Sequence, residues 1–357
     1  SAAAVIGKEF NIDMAAELAG MSTPDAAAAI KLVRRQRLVW SRPDSIVSFV
    51  HDKIRETVLA TLSDDVIRSM HGQIGSRLKA TEPDRVFDLA YHFDAAEMHS
   101  EALPYALKAA ETARGSFSLA SAQSQLQIAV RAFDHAARET RHHVEMLMSD
   151  VLMLQGEYDQ SSQWLDNAAN SAVSDTDQAR VALKRGELFF KRGNKDKAVE
   201  NYEYALARLG QPVYTSAISV WWNLFVELVR QARNSVFPSQ CGRYGDSPGE
   251  AERMIMSLYS RVSQAYWYTR DKYSTLCAHL RGMNVAERYE PTLFLAQFYS
   301  EHAPGMTLLR WQSRGLKYAN RSLEIRKSFD DVWGQGQSRN FLSILLYSFS
   351  RFEDCVT

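Results

Sequence analysis

Apolar residues recur at helical spacing along most of the chain, and the first eighty residues break that rhythm. Ile12 to Ala19 carries a short helical pattern that Gly20 ends. Ser22-Thr23-Pro24-Asp25 then offers an N-cap hydroxyl, a proline in the first turn and an acid at the positive end of the dipole. That predicts a helix to about Arg37. Leu38-Val39-Trp40 and Ile46 to Val50 read as two short strands around the turn Arg42-Pro43-Asp44-Ser45. A further helix follows, with Ile54, Val58, Leu59 and Leu62 on one face. Helix, turn, helix and a two-stranded wing predict a small winged-helix domain over residues 1–80.

Beyond about residue 85 the pattern is helical almost throughout, and it repeats. Gly186, Phe189, Gly193, Ala198, Tyr202 and Ala205 stand at the spacing of a tetratricopeptide repeat. Small residues at 186 and 198 let two antiparallel helices approach, Gly193 turns the chain, and Phe189 and Tyr202 fill the gap. The preceding segment repeats the scheme with Leu152, Gly156, Tyr158, Leu165 and Ala168. Weaker copies centre on Ala102, Ala106 and Ala109, and on Leu126 and Ala129. Repeats are therefore predicted over 81–212.

An interruption over 213–249 follows. Trp221, Trp222, Leu224, Phe225 and Leu228 crowd one helix, and a glycine-bearing loop runs on to Gly249. The uncharged stretch before Glu227 is short and holds Gly210 and Pro212, which argues against a membrane span. A helix that is buried or faces a partner is the expectation, with Trp221, Trp222 and Phe225 as its surface. Helical pairs resume over 250–357: Met254–Arg270 with Tyr273–Arg288, Leu293–His302 with Leu308–Lys327, then Val332–Ser350. The fold class expected is all-α, a winged helix followed by an irregular tetratricopeptide-like superhelix.

Composition narrows the function. The 357 residues carry 42 basic and 42 acidic side chains, which argues against a chain whose task is to coat nucleic acid or an anionic membrane. Cys241, Cys277 and Cys355 lie far apart and form neither a zinc knuckle nor a disulfide framework, which suits a reducing cytoplasm. Ser1 to Ile6 lacks the basic region and cleavage pattern of a signal peptide and reads as a cut into a longer protein.

Catalytic machinery is not legible. Gly7-Lys8 lacks the upstream glycine and following hydroxyl of a phosphate loop. His142-His143 are adjacent, point about 100° apart on a helix and read as a solvated surface, not a metal site. Tyr91-His92-Phe93-Asp94 reads as repeat packing with polar tips outward. No catalytic residue and no metal ligand is assigned.

Phe49-Val50-His51-Asp52-Lys53-Ile54-Arg55-Glu56 stands apart. It puts a histidine where a strand meets a helix, with Asp52 able to cap or stabilise that helix end. This segment resembles the Met-His-Asp motif in the winged-helix part of STAND-class signalling NTPases, with Val50 in place of the methionine. Ala4-Val5-Ile6-Gly7-Lys8-Glu9-Phe10 is similar to the opening of that region in bacterial multidomain members. The resemblance implies that His51, with Asp52, senses the phosphates of ADP on an NTPase domain outside this sequence. Some such proteins carry a Ser/Thr kinase, cyclase, histidine kinase or DNA-binding output elsewhere in the chain. No cofactor is expected in the chain itself; ADP or ATP is implied for the NTPase domain. The implied partners are that domain and a protein or peptide ligand in the groove of the superhelix.

Two other functions stand beside this one. A transcription regulator would read DNA with the winged helix, whose Lys31, Arg34, Arg35 and Arg37 suit phosphates. Yet the leading half of that helix is Asp25 and four alanines, and residues 1–80 carry only 11 basic against 9 acidic groups. A stand-alone tetratricopeptide scaffold is the remaining alternative.

Overall fold

The computed structural model describes residues 1–41, 46–214, 216–237, 247–307 and 309–355. The chain divides into two units, Ser1–Ser171 and Ala172–Thr357.

The first unit begins with α1 (Ala2–Ile6), β1 (Glu9–Asn11), α2 (Ile12–Leu18), α3 (Thr23–Arg35), β2 (Val39–Ser41), β3 (Ile46–Phe49) and α4 (Asp52–Leu59). The Ser22 hydroxyl caps α3 by accepting from the Asp25 amide, as its sequence suggests. The strands form an antiparallel sheet of order β1-β3-β2, with Phe10 opposite Val47 and Trp40 opposite Ser48. The sequence showed two strands; β1 is a third, only three residues long and without a period of its own. The predicted turn at Arg42–Ser45 lies outside the described residues. Ala4, Phe10, Val39, Val47 and Phe49 form a small core against Ile54 and Val58 of α4.

Helices then continue as α5 (Asp64–Thr81), α6 (Val86–Ala95), α7 (His99–Gly115), α8 (Leu119–Arg131), α9 (Arg138–Gln155) and α10 (Tyr158–Ser171). Val5 and Met14 share one core with Ile74, Leu78, Leu89 and Phe93, so the sheet-bearing segment and the helices after it are packed together. Ala102, Ala106 and Ala109 on α7, with Leu126 and Ala129 on α8, are all fully buried. Their repeats read weakly because the chain turns there on Glu97 and Phe117, both at φ 58°. Each takes the left-handed position that glycine usually fills. The caps are otherwise complete: the Met98 amide reaches the Phe93 carbonyl at 2.9 Å and the Ser118 amide reaches Ala113 at 2.8 Å.

The second unit holds α11 (Asp175–Lys191), α12 (Lys195–Arg208), α13 (Ala217–Val236), α14 (Glu250–Thr269), α15 (Lys272–Ala286), α16 (Leu293–Gly305), α17 (Gln312–Ser328) and α18 (Val332–Ser348). The six residues that marked the 182–206 repeat meet in the pair α11/α12. Gly193 turns the chain at φ 83°, and the Asn194 amide bonds the Phe189 carbonyl at 2.9 Å. A methyl group at Gly186 would run into the Tyr202 ring, so the close approach of the two helices depends on the bare backbone there. Ala198 and Ala205 are fully buried beside Tyr202, while Phe189 is partly buried against the same core. Replacing Ala198 by leucine is expected to destabilise the chain by about 1–3 kcal/mol through overpacking, read as a lower urea midpoint with an unchanged slope.

Candidate functional site

Two surfaces come from the residues singled out in sequence. At the first, β3 delivers the chain through Val50 to His51, which is the N-cap of α4 in extended conformation and makes no capping hydrogen bond with its side chain. Its imidazole is exposed. Asp52 sits in the first turn of α4, where a negative charge suits the dipole, and accepts from Lys8 Nζ at 3.2 Å across the surface. Lys53 stays on the surface beside Glu56, at 3.0 Å, whereas Arg55 turns inward: its Nε donates to the Ala4 carbonyl at 2.8 Å and ties α4 to α1. His51 thus stands at the start of a helix anchored from behind, with its ring free to meet a group from outside. Lys31, Arg34, Arg35 and Arg37 are exposed as well, but Asp25 at the head of α3 is also exposed and bonded to Ser22.

The second surface is α13, which packs on α15 through Val220 and Leu224 against Cys277 and Leu280. The three aromatics of the sequence expectation take no part in that core. Trp221, Trp222 and Phe225 are exposed, Trp222 at 66% and Phe225 at 57%. Trp221 leans on Tyr273 at a ring distance of 4.3 Å. They form one face with Ile218, 84% exposed, and with Leu228 and Val229. A contiguous apolar patch of this kind marks an interaction surface.

Sequence reasoning missed what lies under α13. Its inward side carries Glu227, 1% exposed, and Gln231, also buried. Glu227 Oε2 accepts from Asn284 Nδ2 at 2.8 Å, and Oε1 accepts from Arg230 at 2.8 Å. Gln231 Nε2 donates to Asn284 Oδ1 and to Glu287 Oε2, both at 2.8 Å, while its carbonyl accepts from Arg314 at 3.0 Å. Tyr299 completes Glu287 at 3.1 Å. Burial raises the Glu287 carboxyl pKa, and the bonds from Asn234, Tyr299 and Gln231 oppose that shift. Such a seam gives α13 one orientation. Glutamate and glutamine on a helix ordinarily read as solvent-facing, so no pattern in the sequence announces it.

Two histidine readings are corrected. His92 does not point outward: it is buried, with its Nδ1 at 2.8 Å from Nδ1 of His71, one ring donating and the other accepting. Burial, then the neighbouring His71, lower its pKa to about 4. His142 is buried as well, bonded at 2.9 Å to the Ala168 carbonyl, because α10 covers that side of α9; only His143 faces solvent, beside Glu111. A further buried pair, His279 and His302, meets at 3.2 Å between α15 and α16. Among the described residues no group of three or more His, Cys, Asp or Glu is placed to hold a metal ion, and no helix is long and apolar enough to cross a membrane.

Residues 69–221 match the family described as a tetratricopeptide repeat-like domain. A search of curated proteins found no match. Among solved structures, the chain is similar to a Signal Transduction ATPase with Numerous Domains (STAND) protein with a tetratricopeptide repeat sensor from Pyrococcus horikoshii. The likeness has a TM-score of 0.50 at 10% identity and covers 99% of this chain and 48% of that one. The chain thus spans about half the length of that structure, and at such low identity the likeness is one of fold, a tetratricopeptide-like helical arrangement.

Proposed function

We propose that this chain is the regulatory sensor and docking region of a multidomain STAND-type signalling ATPase. The observation that carries the reading is the likeness of fold, which runs through 99% of the chain to a STAND protein with a tetratricopeptide repeat sensor. In this reading α2, α3 and the strands β2 and β3 are the winged helix, with β1 as its third strand. The helical pairs after them hold a protein or peptide ligand. His51 and Asp52 face the NTPase domain, which binds ADP or ATP; the chain itself binds no nucleotide and performs no catalysis. The exposed imidazole at the start of α4 supports this role, because a sensor of a phosphate on another domain has to project from its own fold. A ligand on the repeats shifts the protein between closed and open states only by binding one of them better. The whole protein is proposed to act in the cytoplasm, coupled to a kinase, cyclase or transcriptional output.

The test is ADP release from the longer protein that carries the NTPase domain, with His51 intact and with His51→Ala. One hydrogen bond to a charged phosphate contributes about 1.5–3 kcal/mol. Its loss is expected to weaken ADP retention roughly ten- to a hundred-fold.

A further inference from the structure

The apolar face of α13 has a register as well as an extent. Ile218, Trp221, Phe225 and Leu228 alternate by three and four residues, and Trp222 and Val229 widen the same side. All six are exposed. This is the a/d seam of helices that pack side by side. The helix cannot roll to hide the seam, because Glu227 and Gln231 fix its opposite side through Asn284, Glu287 and Arg314. We propose that this seam is the docking site for an amphipathic helix of a partner protein, with an apolar a/d stripe flanked by acidic residues. The inference rests on the docking role proposed above and names the chemistry of the partner.

Charge selects the occupant. The one acid of α13, Glu227, is buried, whereas Arg233 is exposed next to the Trp222 side of the seam. On the other side, exposed Lys272 lies beside Tyr273, on which Trp221 leans. The nearby Asp271 is committed to the amides of Tyr273 and Ser274, at 2.8 and 3.0 Å. Arg233 and Lys272 therefore border the seam with positive charge, Lys272 partly offset by Asp271 at the start of α15. A second copy of α13 does not complement it: antiparallel pairing sets Arg233 against Ser216 and Ser219 at a helix N-terminus, and parallel pairing sets arginine beside arginine. An anionic bilayer shares the charge preference, but the two cations at the seam, Arg233 and Lys272, fall short of the basic cluster that binding to such a surface takes.

The experiment uses the whole 357-residue chain and synthetic four-heptad peptides with leucine at a and d. One peptide carries glutamate at e and g, its twin lysine. The acidic peptide is expected to bind and shift tryptophan emission to the blue, and the lysine twin to bind at least about ten-fold more weakly. Phe225→Glu is expected to weaken the acidic peptide by about thirty-fold while leaving the circular dichroism of the chain unchanged. Should that variant unfold, Trp222→Ser serves the same purpose. The double substitution Arg233→Glu and Lys272→Glu is expected to reverse the preference between the two peptides. Equal binding of both peptides, binding that survives the seam variants, or no binding at all overturns the proposal. So does a dimer of the chain alone that the seam variants dissociate, or uptake by phosphatidylserine vesicles without binding of the acidic peptide. The ADP test is run without peptide, so this proposal can fail while the sensor role of His51 stands.

Discussion

Replacing Glu227 by alanine is expected to lower the stability of the second unit by about 3–5 kcal/mol. The carboxylate is 1% exposed and holds Asn284 at 2.8 Å and Arg230 at 2.8 Å, with Arg281 at 3.8 Å. Truncation leaves the Asn284 amide without this acceptor and removes the counter-charge from the largely buried Arg281 guanidinium. The cost comes from those stranded partners, not from the worth of the pair. Glu227→Gln keeps an acceptor for Asn284 and is expected to cost less, and Glu227→Met fills the volume and falls between. Urea unfolding of the three variants checks the order. A loss below about 1 kcal/mol for the alanine variant would mean that water replaces the carboxylate and that the seam does not orient α13.

Acidification is expected to destabilise both units between pH 6.5 and about 4. His92 and His279 are each lowered from 6.5 to about 4, burial being the first cause in both. His71 is lowered by burial and by Arg55, and His302 lies well below its ordinary value through burial and then His279. For His92, Asp88 opposes the shift and Arg85 adds to it. The folded-state values lie below the unfolded one, so in this window the unfolded chain binds more protons and stability rises with pH. The stabilising contribution is complete above pH 6.5 and is lost as pH falls through the window. For a shift of this size the loss is on the order of 3 kcal/mol per group at the acid end. Melting temperature against pH reads it. The paired variant His71→Gln and His92→Gln is expected to flatten the slope contributed by the first unit, and an unchanged slope would place these rings in water.

Legibility in the sequence followed how local each cause was. The α11/α12 pair could be read because its determinants, Gly186, Gly193, Ala198 and Tyr202, are types that few other environments demand. The pairs around α7 and α8 were faint because Glu97 and Phe117 occupy left-handed turns without glycine. Strand β1 exists through its pairing with β3, a partner more than thirty residues away, and three residues show no period. The aromatic stripe of α13 was visible, but its direction was not. Glu227 and Gln231 look like surface residues until Asn284 and Glu287, far along the chain, draw them inward. His92 and His142 were misread for the same reason, since each owes its burial to a neighbouring helix. His51 was singled out by resemblance to a motif, and in the fold it is exposed at the head of α4.

The central claim is that this region regulates a nucleotide-binding partner domain through His51. Its most direct measurement is the dissociation rate of labelled ADP from the longer protein, wild type against His51→Ala, with the melting temperature of the 357-residue chain recorded for both. The account predicts faster release, roughly ten- to a hundred-fold, with no change in melting, since the exposed imidazole makes no capping bond in its own fold. Identical release rates, with or without a loss of stability, would contradict it and reduce His51 to a residue of the strand-to-helix junction.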